Sequence, residues 1–377
     1  MKILHTEAAL GWAGQGIRVL NEVKGMREIG YDVQICCDPV SELYKKCLEH
    51  GLPVHSLPMR FRNPFVSIRL RRWLTRNQFD IINVHSSIDH WIVAVAIIGM
   101  RDRPVLVRTR HVSSPLNRSK LTRWLYCKAT DFVITAGQKL LDDLVESGNL
   151  PREKMTSIPT GSDENRYTPS TNVERSKASL GLLGDKIVVG MVAKMRPWKG
   201  HLDLVRSIHD AGLAGEIHLL MVGDGKTMQE IANAVAEFNI NCQFVGEVDD
   251  VVPYFQAMDI YCLPSKGVEG VPQAMTQAML CGIPVIAADV GSVAEFVKTG
   301  VNGLLYPAGN RQELEKSLTE LVRSHALRCS LGQKARAVAL EMASFQLMIE
   351  RTEKLMKYLF ELKSRRALAA GESGPVG

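Results

Sequence analysis

The chain has 377 residues, 46% hydrophobic and 23% charged, the balance of a soluble globular protein long enough for two domains with separate cores. Its formal net charge of +6 is mild, and no zinc finger, RNP aromatic motif or basic heptad accompanies it, so nucleic acid is not an expected partner. The longest apolar run, 91–100, falls short of the roughly 20 residues that cross a bilayer.

Met1-Lys2 leads straight into Ile3-Leu4-His5-Thr6, a first strand rather than a cleavable leader, which predicts a cytoplasmic protein or one held on the inner face of the cytoplasmic membrane. In the first half, strands are predicted at 2–6, 32–37, 53–57, 80–85, 104–111, 130–135 and 154–158. Helices alternate with them near 15–29, 40–50, 65–77, 88–100, 117–128 and 137–147. Pro159, Gly161, Pro169, Ser170 and Thr171 mark 161–184 as an interdomain connection. The second half repeats the plan, with strands at 186–193, 216–222, 242–245, 259–263, 284–288 and 303–305. Its helices fall near 199–212, 226–238, 250–257, 272–281 and 310–325. Residues 328–363 read as helix, of which 344–366 is expected to return to the first domain, and 367–377 as a disordered tail. The expected domains are thus 1–160 and 185–343, two α/β halves with doubly wound parallel sheets facing a ligand cleft.

The eight cysteines show no C-x-x-C, and several fall in predicted buried strands, so small reduced core residues are expected rather than disulfides. The ten histidines show no H-E-x-x-H or comparable pattern, so no metal is expected.

Three stretches carry chemistry. In 265–285 a glycine-broken turn bearing Glu269 runs into a helix start at Pro272, aiming a carboxylate and helix N-terminal amides at one point. That pairing suits a ligand with hydroxyls and phosphates, such as a nucleotide sugar. In 188–200 a buried strand is followed by Lys194, Arg196 and Lys199; cations at a helix start are unfavourable unless an anion joins them. Gly11, Gly14 and Gly16 follow the first strand, where glycines let a backbone approach phosphate, a weak signal by itself.

Together these stretches resemble the retaining family-4 glycosyltransferases, whose GT-B architecture has two Rossmann-like domains. Further matching pieces are Ile158-Pro159-Thr160-Gly161-Ser162-Asp163, Gly223-Asp224-Gly225, Phe244-Val245-Gly246, the Asp289–Glu295 loop and Asn302-Gly303-Leu304-Leu305. The resemblance implies an acceptor-binding first domain and a nucleotide-sugar-binding second domain. It implies that Glu269, first acid of an E-x7-E motif, holds the donor sugar at its anomeric carbon, and that Gln277 stands where the second acid meets the ribose. It implies Lys199 on the donor diphosphate, with Lys194 where an arginine is usual, and Gly14 packing on the phosphates. His111 matches a histidine near the transferred sugar; the backbone from Gly246 to Val248 would border the base, and the amides of Gln273 and Ala274 would cap the phosphates. Gln277 loses charge assistance worth roughly 1 kcal/mol, which weakens donor binding without removing the reaction. On the residues alone, His111 after Arg108 and Arg110 reads first as a structural histidine, and the resemblance reverses that order.

The implied reaction is glycosyl transfer with retention, from a nucleotide-diphosphate sugar to a saccharide or lipid-linked saccharide, in lipopolysaccharide or other cell-surface glycan synthesis, with no cofactor or metal. Residues 60–76 hold six arginines and no acid, interleaved with apolar side chains. Arg60, Arg62, Arg69, Arg72 and Trp73 are therefore candidate contacts with the acceptor or an anionic membrane, against the plainer reading of a solvated helix face. The alternatives are a non-catalytic nucleotide-sugar binder, suggested by Gln277 and Lys194, or a GT-B nucleotide-sugar epimerase.

Overall fold

Two parallel sheets, each flanked by helices, organise the chain, and the division between them falls at Thr160/Gly161 and Ser344/Phe345. The computed structural model describes residues 1–61, 63–111, 116–117, 119–148, 150–182, 185–267 and 269–372.

The N-terminal unit holds strands β1 (Lys2–Glu7), β2 (Asp32–Cys37), β3 (Val54–Ser56), β4 (Ile81–Val84), β5 (Val105–Arg110), β6 (Phe132–Thr135) and β7 (Met155–Ser157). They pair in the order β3-β2-β1-β4-β5-β6-β7. Its helices are α1 (Gly14–Glu28), α2 (Glu42–Glu49), α3 (Pro64–Asn77), α4 (Ser87–Ile97), α5 (Lys120–Trp124) and α6 (Gln138–Gly148). Because both faces of a parallel sheet are covered, β4 and β5 are buried at every position, and they read in the sequence as unbroken strands.

The C-terminal unit holds α7 (Val173–Ser179), β8 (Ile187–Val192), α8 (His201–Asp210), β9 (Ile217–Val222), α9 (Met228–Glu237), β10 (Asn241–Gly246) and α10 (Val252–Gln256). It continues with β11 (Ile260–Leu263), α11 (Gln273–Leu280), β12 (Val285–Asp289), α12 (Val293–Phe296), β13 (Gly303–Pro307), α13 (Arg311–Arg323) and α14 (His325–Ala343). Its order is β10-β9-β8-β11-β12-β13. Each sheet reverses its winding once, at β1/β4 and at β8/β11, and the carboxyl ends at such a reversal are where open α/β sheets bind ligands.

Two expectations are corrected. Residues 161–182 do not form a loose connection: Tyr167 is buried against Phe255, and Lys177 pairs with Asp259 at 2.9 Å. The helical stretch 328–363 divides at Ser344, close to the expected start of the C-terminal helix at 344: the extended backbone of Ser344 (φ −71°, ψ 152°) bridges to Ser162 and separates α14 from α15 (Phe345–Glu372). Helix also continues to Glu372 where a tail was expected, because Ala-Leu-Ala-Ala is strongly helix-forming and prolongs a helix already nucleated; 373–377 lie outside the described residues. α15 packs within the N-terminal unit, where Met348, Ile349, Met356 and Leu359 join the core. A Cβ on Gly25 of α1 would meet Ile349 at 2.5 Å, so glycine sets how closely the two helices approach.

Candidate active site

In the C-terminal unit β8 and β11 are neighbours, with Val189 opposite Ile260. The loops that follow them are interlocked by glycine. Gly200 has φ +80°, and a Cβ there would lie 1.9 Å from the Pro264 carbonyl oxygen. Gly267 faces the Trp198 ring, and the Lys266 amide donates to the Trp198 carbonyl at 2.7 Å. These contacts bring Lys199 to Glu269. Lys199 Nζ donates to Glu269 Oε1 at 2.6 Å, and Ser265 Oγ donates to the same oxygen at 2.7 Å. Glu269 is 8% exposed, so both bonds act where water screens little. From the other side Gly291, at φ +54°, lies against the Glu269 backbone, since a Cβ would meet its carbonyl oxygen at 1.7 Å.

Just after this cluster α11 starts at Pro272, which gives it no side-chain cap. Its first helical bonds run from the Met275 and Thr276 amides to the Pro272 carbonyl, so the amides of Gln273 and Ala274 precede the helical ladder. Gln277 lies one turn further on, half-buried. Lys194 is separate from the carboxylate: it is exposed and pairs with Glu247 at 3.4 Å. Gly246 stands at φ +81° and its carbonyl accepts from the Gly223 amide at 2.8 Å; Val248 packs on the core edge. His201, first residue of α8, is buried, and burial together with the charge of Lys199 lowers its pKa to about 4.

In the N-terminal unit Gly14 opens α1, and His111 follows β5. His111 is the last of three stacked imidazoles: His5 Nδ1 lies 2.9 Å from His85 Nε2, and His85 Nδ1 lies 3.0 Å from His111 Nε2. Beside them Asp89 accepts from Thr6 Oγ1 and from the His85 and Ser86 amides. Glu7 accepts from the Ala9 amide and the Gln15 side chain, and burial with the neighbouring Asp89 raises its pKa to about 7. His5, Glu22 and His85 each offer a ligand atom within 4.8 Å of one another. They suit a divalent cation poorly: the two rings already bond each other, and the buried Arg18 guanidinium sits on Glu22 at 3.4 Å.

The basic segment divides. Asn63 caps α3, and Phe61, Phe65 and Ile68 are exposed beside Arg69 and Arg72. Arg60 is tied at 3.4 Å to the buried Asp38; Arg62 lies outside the described residues. Trp73 is half-buried: its ring stacks on His55 at 4.2 Å and lies tilted against Phe79. Among the described residues no helix is long and apolar enough to cross a membrane.

Two family models match the chain in succession, Glycosyltransferase Family 4 over residues 12–166 and Glycosyl transferases group 1 over 172–338. The chain belongs to glycosyltransferase family 4. Its relatives include the phosphatidyl-myo-inositol mannosyltransferase of Mycobacterium leprae, 27% identical over 71% of this chain and 70% of that one. Another is the N-acetyl-alpha-D-glucosaminyl L-malate synthase of Bacillus anthracis, 22% identical over 90% of this chain and 92% of the other. Among solved structures, Anabaena HepE in complex with UDP and glucose superposes with a TM-score of 0.82 at 21% identity, over 95% of this chain and all of that one, which shows the GT-B fold.

In this glycosyltransferase, the residues that fold together at β8/β11 are thus Lys199 and Glu269, with Gln273 and Ala274 on the helix start that follows. The sequence reading missed Ser265, although its place four residues before Glu269, directly after a buried strand, was available as a signal. It also missed His5 and His85, which no local pattern connects to His111.

Proposed function

We propose that the enzyme moves a glycosyl group from a nucleoside-diphosphate sugar to a saccharide or lipid-linked saccharide, with retention at the anomeric carbon, in the synthesis of lipopolysaccharide or another cell-surface glycan. The observation that carries this reading is the Lys199–Ser265–Glu269 cluster at a sheet reversal, ahead of an uncapped helix start. Breaking the donor's anomeric C–O bond leaves its electron pair on the diphosphate. Lys199, Lys194 and the amides of Gln273 and Ala274 supply fixed positive charge for that oxygen, so no metal is required. Ser265 and Lys199 orient the Glu269 carboxylate toward the sugar hydroxyls, and Gln277 serves the ribose. From the N-terminal unit we assign Gly14 to the phosphates and His111 to the transferred sugar. The acceptor hydroxyl attacks the face that the diphosphate leaves, and the departing phosphate oxygen takes its proton.

A lipid-borne acceptor is supported by the exposed pairing of Phe61, Phe65 and Ile68 with Arg69 and Arg72, a chemistry that suits the inner face of an anionic membrane. It is also supported by the name of the mycobacterial relative, which acts on a phosphatidyl-inositol. The test incubates the enzyme with a panel of nucleotide sugars and candidate acceptors, with and without EDTA, and reads product and anomeric configuration by NMR. Binding without transfer from every donor would favour a non-catalytic binder, and an inverted product would overturn the stereochemistry.

A further inference from the structure

The interior of the N-terminal unit carries a polar chain that the reaction above leaves unused except at its end. His5 and His85 are each 1% exposed, and the His5–His85 and His85–His111 contacts are 2.9 and 3.0 Å, with ring centroids 5.2 and 5.3 Å apart. Burial holds all three below the ordinary histidine value, opposed by Glu22 at His5 and reinforced by positive neighbours at His85 and His111, so the rings are neutral at pH 7. A neutral imidazole has one N–H and one lone pair. Each contact needs one of each, so the three tautomers are linked, and reversing His5 reverses His111.

Fixed charges choose the direction. The buried Glu22 carboxylate lies beside His5, where its influence exceeds that of Arg18, and its Oε1 has no hydrogen-bond partner. Arg18, the partner of Glu22, and to a lesser degree Arg108 add positive charge at His85 and His111, so the unpartnered Glu22 oxygen is the one feature particular to the His5 end. N–H groups directed from His111 toward Glu22 satisfy both ends. No hydrogen bond reaches His111 Nδ1 among the described residues.

We propose that His5 and His85 are positioning residues that hold His111 in its Nε2–H tautomer, so that Nδ1 at the end of β5 accepts a hydrogen bond from a sugar hydroxyl. This rests on the assignment of His111 to the substrate. Side-chain 1H–15N spectra of the 15N-histidine-labelled full chain at pH 7 should show a neutral Nε2–H signature for His111. In His85→Phe, which keeps a ring but removes both nitrogens, that signature should collapse toward a tautomer average. Its kcat should then fall in proportion to the Nε2–H population that the spectrum reads, about two-fold for equal tautomers, with KM for the donor little changed. Glu22→Gln, remote from substrate, should move the spectrum the same way.

A cationic or Nδ1–H His111 in the wild type, or unchanged spectrum and kcat in folded His85→Phe, overturns the proposal. Should neither variant fold, the wild-type spectrum decides. Full transfer by His111→Ala removes the substrate contact itself and overturns the proposal whatever the spectra show; lost transfer there, with unaltered His85→Phe, sinks the relay alone.

Discussion

Gly200 couples the fold to the chemistry, and replacing it with alanine separates two costs that glycine normally hides. The first is conformational: at φ +80° an L side chain is strained by about 1–2 kcal/mol. The second is steric: the new Cβ would lie 1.9 Å from the Pro264 carbonyl oxygen, a backbone atom, so the two loops must separate. Overpacking of this kind costs about 1–3 kcal/mol. Gly212 is the control, since it has φ +70° but nothing within 4 Å of a Cβ. Calorimetry should therefore place Gly200→Ala below Gly212→Ala by roughly 2–12 °C, taking 2–4 °C per kcal/mol for a unit of this size. Because the displaced loop carries Lys199 away from Glu269, Gly200→Ala should also lose most transfer activity, while Gly212→Ala keeps it. Equal melting temperatures with equal activities would refute the argument that this approach positions the pair.

Glu269→Gln keeps shape and removes charge; transfer should fall by about 100-fold or more, and the melting temperature should drop as well because Lys199 loses its buried partner, while Ser265→Ala should cost transfer about ten-fold. His201 titrates near 4 when folded against 6.5 unfolded, so the unfolded chain takes up its proton first as the pH drops. Denaturant titrations should show this contribution intact above 6.5 and lost as pH falls toward 4, by up to about 3 kcal/mol, and His201→Asn should flatten that part of the profile. Replacing Arg69 and Arg72 together by alanine should weaken cosedimentation with anionic vesicles by about 2 kcal/mol, roughly thirty-fold. Binding by the unaltered enzyme that ignores 1 M salt would argue against an electrostatic dock.

The strands were legible because a doubly covered parallel sheet writes itself as continuous apolar runs, as in Ile187–Val192. Lys199 and Glu269 were legible because each follows such a run at a sheet reversal. The extended backbone at Ser344 was less legible than the return of the helix after it, since apolar periodicity passes through Phe345, Met348 and Ile349 without a glycine or proline to interrupt it. The cover on Trp73 was not legible because an amphipathic stripe does not declare its neighbours; His55 and Phe79 meet the ring only in space. The histidine series was invisible because His5, His85 and His111 meet only through the register of β1, β4 and β5.

The return of α15 has a consequence for biosynthesis. A ribosome that has released residues 1–160 has released all seven strands of that sheet, yet the surface around Gly25 still awaits Ile349, Met356 and Leu359. The nascent first half must therefore keep that apolar face covered or idle through translation of nearly two hundred further residues, and its final docking step waits until α15 has emerged.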